Sequence, residues 1–169
     1  MKAINVICKE EVTLRDKNLS CIAVDSGLLY AIKNNLEIIK VIGDFDSIDN
    51  KEYLNYQDRL LLADKDKDES DFALALSTLS DFQGTIYVYG ALGKRMDHTL
   101  VNLKLCYYSM LDIHLIDERN EIYRLNPGIY KLQKGPYRYI SFLGFEDCHL
   151  TLLDFKFNSS VKIYTLHKF

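Results

Sequence analysis

Short apolar runs alternate with stretches of helical periodicity from the N-terminus to about residue 116. Apolar runs of this length, bounded by polar turns, are typical of strands that are buried on both faces. The alternation of such strands with helices predicts an α/β layer with a mostly parallel sheet. The runs predicted to be strands are Ala3–Cys8, Ser20–Val24, Ile38–Ile42, Leu60–Ala63, Thr85–Tyr89 and Ile113–Ile116.

Three helices are expected between these strands. The first runs from Leu28 to about Asn34, and the second follows Ser70, whose hydroxyl is suited to capping the helix N-terminus. In the second helix the apolar stripe predicted to face the core consists of Phe72, Leu76 and Leu79. In the third, which starts near Asp97, the predicted apolar face consists of Leu100, Leu103, Tyr107 and Met110.

After residue 118 the helical period disappears and turn residues separate short strand candidates. These candidates are Glu121–Leu125, Ile129–Leu132, Tyr137–Phe142, Leu150–Leu153 and Lys162–Leu166. We therefore predict an α/β domain over residues 1–117 and a small antiparallel β unit over residues 118–169.

Composition narrows the class of protein. A net charge of −3 gives no basic footprint, so nucleic-acid binding is disfavoured, and no apolar run approaches the length of a membrane span. The N-terminus lacks the apolar core of a signal peptide, so we expect a cytoplasmic protein. The four cysteines have neither metal-site nor C-x-x-C spacing and are expected to be reduced.

Two carboxylates follow the third predicted strand, in the sequence Gly43-Asp44-Phe45-Asp46-Ser47. In an extended segment Asp44 and Asp46 project to the same side, whereas Phe45 faces the opposite side. Two adjacent carboxylates repel each other unless a cation lies between them, and Mg²⁺ accepts such oxygen ligands together with substrate phosphates. The alternative is a surface turn with solvated acids, which the preceding apolar run disfavours.

Two further acidic residues occupy similar positions. Asp25 follows the second strand and precedes Gly27, which leaves the backbone room to approach a ligand. Asp71 opens the second helix at the loop edge of the sheet. Each also has a structural interpretation, Asp25 as a helix cap and Asp71 as a favourable charge at a helix N-terminus.

A glycine-containing loop follows the fifth strand, from Gly90 through Gly93 to His98. Lys94 and Arg95 are cationic donors placed where phosphate oxygens could lie. Asp97 and His98, at the start of the next helix, could orient or deprotonate a hydroxyl. The chain has no P-loop, G-x-G-x-x-G or G-x-S-x-G motif, so a phosphate site would have to use the carboxylates and Arg95.

These motifs, taken in order, resemble the bacterial type of thiamine pyrophosphokinase. The similarity rests on Asp25-Ser26-Gly27, Gly43-Asp44-Phe45-Asp46-Ser47-Ile48, the run from Asp68 to Leu76, the run from Gly90 to His98, and Asp117 to Gly128. It covers nearly the whole chain. The family commonly has a second glycine where this chain has Ser26. Its members continue beyond the point that corresponds to Phe169, so the resemblance implies either a shortened protein or an incomplete β-sandwich, which would leave an exposed edge strand that favours pairing with another chain.

The resemblance implies a homodimer of an α/β domain followed by a small antiparallel β-sandwich. It implies that the protein transfers diphosphate from ATP to the hydroxyl of thiamine, giving thiamine diphosphate and AMP. It implies that a Mg²⁺–ATP cluster is formed by Asp25, Asp44, Asp46 and Asp71. It also implies ATP or substrate contacts for Asp25, Ser47, Arg95, Asp97 and His98, and catalytic roles for Asp46, Asp71 and Asp97. Phosphoryl-type transfer depends mainly on positioning and charge neutralisation, which agrees with this residue set.

Three other functions are weighed against this one. Asp44-Phe45-Asp46-Ser47 loosely resembles the nucleophile loop of haloacid dehalogenase-type phosphatases, but the late residues that such enzymes need are replaced by β turns. A metal-dependent nucleotide-sugar transferase also uses D-x-D, but it leaves Arg95 to His98 unexplained. The last alternative is a nucleotide- or thiamine-binding module that has lost catalysis.

Overall fold

The computed structural model describes residues 2–45, 51–63, 70–93, 95–133, 135–156 and 159–163. The chain divides into two compact units, Met1–Tyr130 and Lys131–Phe169. The division falls later than the predicted boundary at residue 117, because the first strand after that boundary joins the larger sheet.

The first unit is built on a seven-stranded sheet. Its strands are β1 (Ala3–Ile7), β2 (Cys21–Val24), β3 (Ile38–Gly43), β4 (Leu60–Leu62), β5 (Thr85–Tyr89), β6 (Asp112–Ile116) and β7 (Glu121–Tyr123). Their order across the sheet is β4-β3-β2-β1-β5-β6-β7. The first six are parallel to one another, and only β7 runs antiparallel to its neighbour. The prediction of an α/β fold with a mostly parallel sheet is confirmed.

Helices and one 3₁₀ segment connect these strands. They are α1 (Gly27–Lys33), the 3₁₀ segment Lys51–Arg59, α2 (Asp71–Ser77) and α3 (Met96–Tyr108). Alternate strand residues enter two separate cores, as the period of a strand requires. One core contains Ile4 and Val6 together with α2 and α3, and the other contains Ile7 together with α1.

The expected N-terminus of α2 is confirmed. The Ser70 hydroxyl accepts a hydrogen bond from the backbone N–H of Ala73 at 3.2 Å, and the predicted stripe of Phe72, Leu76 and Leu79 is buried. The predicted apolar face of α3 is wrong in part. Its most buried residues are Asn102 and Cys106, whereas Leu100 is 59% exposed and Met110 lies beyond the helix end at Tyr108.

The predicted strand at 121–125 forms, but it belongs to the first unit rather than to the C-terminal β unit. A tight turn reverses the chain after β6, because the Asp117 side chain accepts hydrogen bonds from the backbone N–H groups of Arg119 and Asn120. Strand β7 therefore pairs with β6, with Leu115 opposite Ile122.

The second unit contains a small antiparallel sheet of β8 (Cys148–Leu152) and β9 (Ser159–Ile163), with Leu150 opposite Val161. The predicted strands at 129–132 and 137–142 are wrong, because both segments are irregular. A strand needs a neighbouring strand to pair with, and in the part of the chain that the structure describes neither segment is paired in a sheet. In the described part of this unit, the two-stranded sheet is what represents the predicted β region.

The four cysteines are free thiols, as expected. In the part of the chain that the structure describes, no helix combines the length and apolar character that crossing a membrane requires.

Candidate active site

The carboxyl ends of the parallel strands lie along one edge of the seven-stranded sheet. From β1 the chain continues to β2 on one side, whereas β5, on the other side of β1, continues to β6. In open α/β sheets, ligands bind at the carboxyl edge where the connections diverge in this way. The loops after β1, β2, β3 and β5 therefore define the candidate site.

Asp25 follows β2 in a left-handed backbone conformation with φ of 47°. Its backbone N–H donates to the carbonyl of Ile42 at 2.9 Å, which fixes it against the end of β3. Its Oδ1 is buried in the space where a side chain on residue 43 would lie, and Gly43 itself has φ of 152°. Glycine at position 43 therefore makes room for the Asp25 carboxylate.

Asp44 is half-buried and follows β3 directly. The next residue, Phe45, also has a left-handed backbone, with φ of 56°. Its ring is buried and stacks on Tyr53, with the ring centroids 4.8 Å apart. Phe45 thus anchors the loop in the core. Asp46 and Ser47, which the sequence also assigns to the site, lie outside the described residues.

Asp71, the first residue of α2, acts on the same region as Asp25. The link between them is Cys8, which follows β1. Burial raises the pKa of the Cys8 thiol above its ordinary value, and the negative charges of Asp25 and Asp71 raise it further. Asp25 follows β2 and Asp71 opens the helix after β4, and both strands are parallel to β1, so the topology brings the two residues to the same edge of the sheet. Three of the four predicted metal ligands therefore share that edge.

Among the described residues, no three His, Cys, Asp or Glu side chains lie close enough together to hold a metal ion between them. Asp46 is not among these described residues. A Mg²⁺ ion that retains substrate phosphates and waters needs only one or two protein carboxylates. The donor chemistry of Asp25, Asp44 and Asp71 therefore fits an ion that arrives with its substrate.

The loop after β5 is fixed to α3 by two polar side chains. Gly90 and Gly93 have φ of 83° and 122°, conformations that favour glycine. The Thr99 hydroxyl accepts a hydrogen bond from the backbone N–H of Gly93 at 3.3 Å and lies 3.1 Å from the carbonyl of Arg95. The buried Asn102 amide donates to the carbonyl of Ala91 at 2.8 Å.

Arg95 and Asp97 form an exposed, two-pronged ion pair at the start of α3. The Arg95 Nε lies 3.2 Å from Asp97 Oδ1, and a second, shorter contact joins Nη2 to Oδ2. The hydrogen bond from Arg95 lowers the pKa of Asp97 to about 2. A carboxylate of such low basicity is a poor proton acceptor, so the geometry favours Asp97 as the residue that orients Arg95. His98, next along the helix, is exposed.

Sequence reasoning missed the residues that hold the loops in place. Thr99 and Asn102 are three residues apart on α3, on the side that turns back toward the glycine loop. Arg15 in the loop after β1 binds Glu121 of β7 through two contacts of 2.7 and 2.6 Å. The spacing of Thr99 and Asn102 on one helix is a signal that the sequence contains. The pairing of Arg15 with Glu121 depends on a contact between distant segments and has no such signal.

The fold and the edge carboxylates define an α/β protein with a candidate ligand site at the carboxyl edge of its sheet. The family profile described as the thiamin pyrophosphokinase catalytic domain matches residues 13–116. The thiamine pyrophosphokinase of Bacillus subtilis strain 168 is 34% identical over 93% of this chain and 81% of its own length. The chain belongs to the thiamin pyrophosphokinase family.

Solved structures support the same relationship. The crystal structure of thiamine pyrophosphokinase from Bacillus subtilis has a TM-score of 0.83 and 31% identity, covering 98% of this chain and 86% of that one. A thiamin pyrophosphokinase family protein from Enterococcus faecalis has a TM-score of 0.76 and 27% identity, covering 98% of this chain and 85% of that one. The predicted family is thus confirmed, and the similarity extends through both compact units.

Proposed function

We propose that the protein is a thiamine diphosphokinase, which transfers a diphosphate group from ATP to the hydroxyl of thiamine. The thiamine oxygen forms a bond to the β-phosphorus of ATP, and the bond between that phosphorus and the bridging oxygen of the α-phosphate breaks. The products are thiamine diphosphate and AMP, and the hydroxyl proton leaves to a base or to solvent. Membership of the family, with the acidic residues gathered at the sheet edge, supports this reaction.

The single observation that carries the proposal is the membership of the family, shown by the profile match over residues 13–116. Asp25 and Asp44, which directly follow the neighbouring parallel strands β2 and β3, supply carboxylates at the edge where such sheets bind ligands. Asp25, Asp44, Asp46 and Asp71 are the residues that would hold a magnesium ion arriving with ATP, and the ion would neutralise charge on the phosphates. The catalytic roles assigned to Asp46 and Asp71 belong to this proposal.

The remaining site residues have separate assigned roles. Arg95, held by Asp97, is placed to contact a phosphate group in a fork geometry that suits phosphate oxygens. Ser47 and His98 are assigned to nucleotide or substrate contacts. For Asp97, the assigned catalytic role is limited by its low basicity, and its contribution is to keep Arg95 in position.

The proposal also assigns a function to each region of the chain and a dimeric state to the protein. ATP binding is assigned to the α/β region, and thiamine binding and dimerisation to the β region predicted over residues 118–169. Several large apolar side chains of the second unit are exposed, among them Tyr139 at 75% and Leu143 at 84%. Exposed apolar surface of this kind is typical of a subunit that pairs with another, and light scattering would give the mass in solution.

We assign the protein to the cytoplasm.

The decisive experiment is incubation of the purified chain with thiamine, ATP and Mg²⁺, followed by product identification by liquid chromatography and mass spectrometry. Thiamine diphosphate and AMP in equal amounts support the proposal. Thiamine monophosphate with ADP, or inorganic phosphate released without thiamine, would overturn it in favour of another transferase or a phosphatase. Binding of ATP with no product would instead favour a module that has lost catalysis.

A further inference from the structure

Lys9 is the first side chain beyond β1 whose charge faces the glycine loop. The pairing of β1 with β5 continues one residue past β1, because the backbone N–H of Cys8 donates to the carbonyl of Tyr89 at 2.8 Å. Lys9 therefore leaves the sheet at its carboxyl edge, between the two strands at which the chain connections diverge. That is the position where open α/β sheets hold their ligands.

The side chain of Lys9 lies along the loop after β5. A Cβ atom on Gly90 would lie 2.6 Å from the Lys9 Cβ, so the loop backbone packs directly on the base of this side chain. At the far end of the side chain, Nζ lies 3.2 Å from the position of a Cβ atom on Gly93. The ammonium group is thus held beside the turn that leads into Arg95, and glycine at both positions keeps the space around it open.

The electrostatic setting distinguishes Lys9 from a surface lysine. It is half-buried, and no carboxylate of the described residues forms an ion pair with its Nζ. The negative charges of Asp25 and Asp71 act on the adjacent residue, Cys8. The ammonium of Lys9 therefore lies beside the loop after β5, at the same edge of the sheet from which Asp25 follows β2.

We propose that Lys9 is a phosphate-binding residue of this site, whose ammonium group donates hydrogen bonds to the diphosphate that is transferred. This inference rests on the proposed function. A lysine ammonium is a compact charge that binds phosphate oxygens well, and it stabilises negative charge where that charge develops during phosphoryl transfer. Because the interaction follows the diphosphate rather than the nucleoside, Lys9 contributes to the binding of ATP and not to that of AMP.

The test compares the binding of ATP and AMP to Lys9→Met and wild-type protein by isothermal titration calorimetry in the presence of Mg²⁺. A charge-assisted hydrogen bond predicts a loss of ATP affinity of about 10-fold to 100-fold, with AMP affinity unchanged. Lys9→Arg, which keeps the charge, is expected to recover much of the ATP affinity. Unchanged ATP affinity in Lys9→Met, or an equal loss for AMP, would overturn the inference.

Lys2→Met is a matched control, because Lys2 precedes the same strand at the opposite edge, where its ammonium lies over the Phe82 ring. It is expected to bind ATP as the wild type does. Thermal unfolding followed by circular dichroism checks that each variant is folded, and Lys9→Gln replaces Lys9→Met if the latter is not. Failure of the proposed function would show separately, as a wild-type protein that makes no thiamine diphosphate.

Discussion

The carboxylate of Asp25 occupies the space that a side chain at Gly43 would fill. Residue 43 ends β3 and precedes Asp44, so the absence of one side chain lets the carboxylate that follows β2 lie against the end of the neighbouring strand. The arrangement makes the geometry of the proposed magnesium ligands depend on a residue that has no functional group of its own.

We expect Gly43→Ala to reduce both activity and stability. The new methyl group would displace Asp25, and the φ of 152° is strained for any residue with a side chain. The free energy of unfolding should fall by about 1–3 kcal/mol, measured by urea denaturation. Gly135→Ala is the control, because nothing lies within 4 Å of the position of its Cβ. Equal behaviour of the two variants would contradict the steric argument.

Asp71→Asn should sharply lower turnover while leaving the fold intact. The substitution keeps the size of the side chain and removes one of the two charges that act on Cys8. Loss of a preorganised charge of this kind reduces turnover by about 100-fold, whereas loss of a favourable charge at a helix N-terminus costs only about 0.3–1 kcal/mol. Steady-state assays and thermal unfolding separate the two effects.

Asp81→Asn, at an exposed position shortly after the same helix, is the matched control for Asp71→Asn. It removes the same charge at a distance from the sheet edge and should keep wild-type turnover. If both variants lose activity to the same extent, the effect comes from net charge rather than from the site.

Asp97→Asn should leave the shape of the pH–rate profile unchanged between about pH 5 and about pH 9. With a pKa of about 2, Asp97 stays ionised throughout this range and has no titration to contribute. The Michaelis constant for ATP should rise, because Arg95 loses the partner that orients it. Loss of an acid limb in the variant would instead identify Asp97 as the base.

Glu121→Gln should destabilise the protein near neutral pH, and the difference from wild type should shrink in acid. The hydrogen bonds from Arg15 and His114 lower the pKa of Glu121, so the stabilisation is present above the pKa of the unfolded state. It is lost as the pH falls through the lower pKa of the folded state. After screening by solvent we expect a difference of about 1 kcal/mol in urea unfolding near pH 7.

Glu118→Gln serves as the control for Glu121→Gln, because Glu118 is exposed in the turn just before β7. Its free energy of unfolding should match that of the wild type at every pH. A pH-independent loss in Glu121→Gln would mean that the carboxylate acts through packing rather than through its charge.

Much of the fold could be predicted from local patterns. The buried strands and the Ser70 cap depend on neighbouring residues, and the sequence contains those signals. The role of Glu121 could not be predicted, because it depends on the pairing of β7 with β6, which the turn at Asp117 brings about. The sequence of a short strand does not indicate which other strand it pairs with. The irregular backbone of residues 129–132 and 137–142 could not be predicted for the same reason.

In the candidate site, too, the features with a local sequence signal could be predicted and those that depend on contacts between distant residues could not. The positions of Asp25, Asp44 and Asp71 at strand or helix ends could be predicted, because all carboxyl ends of a parallel sheet share one edge. Lys9 follows a strand in the same way, but its importance depends on the approach of Gly93, which no local pattern reveals. The low pKa of Asp97 depends on a side-chain geometry that the sequence does not specify.

The two outermost strands of the seven-stranded sheet, Leu60–Leu62 and Glu121–Tyr123, are each only three residues long. Short border strands offer few unpaired backbone groups to a neighbouring molecule, which limits sheet-to-sheet polymerisation. Association of copies of this chain by extension of the seven-stranded sheet is therefore disfavoured.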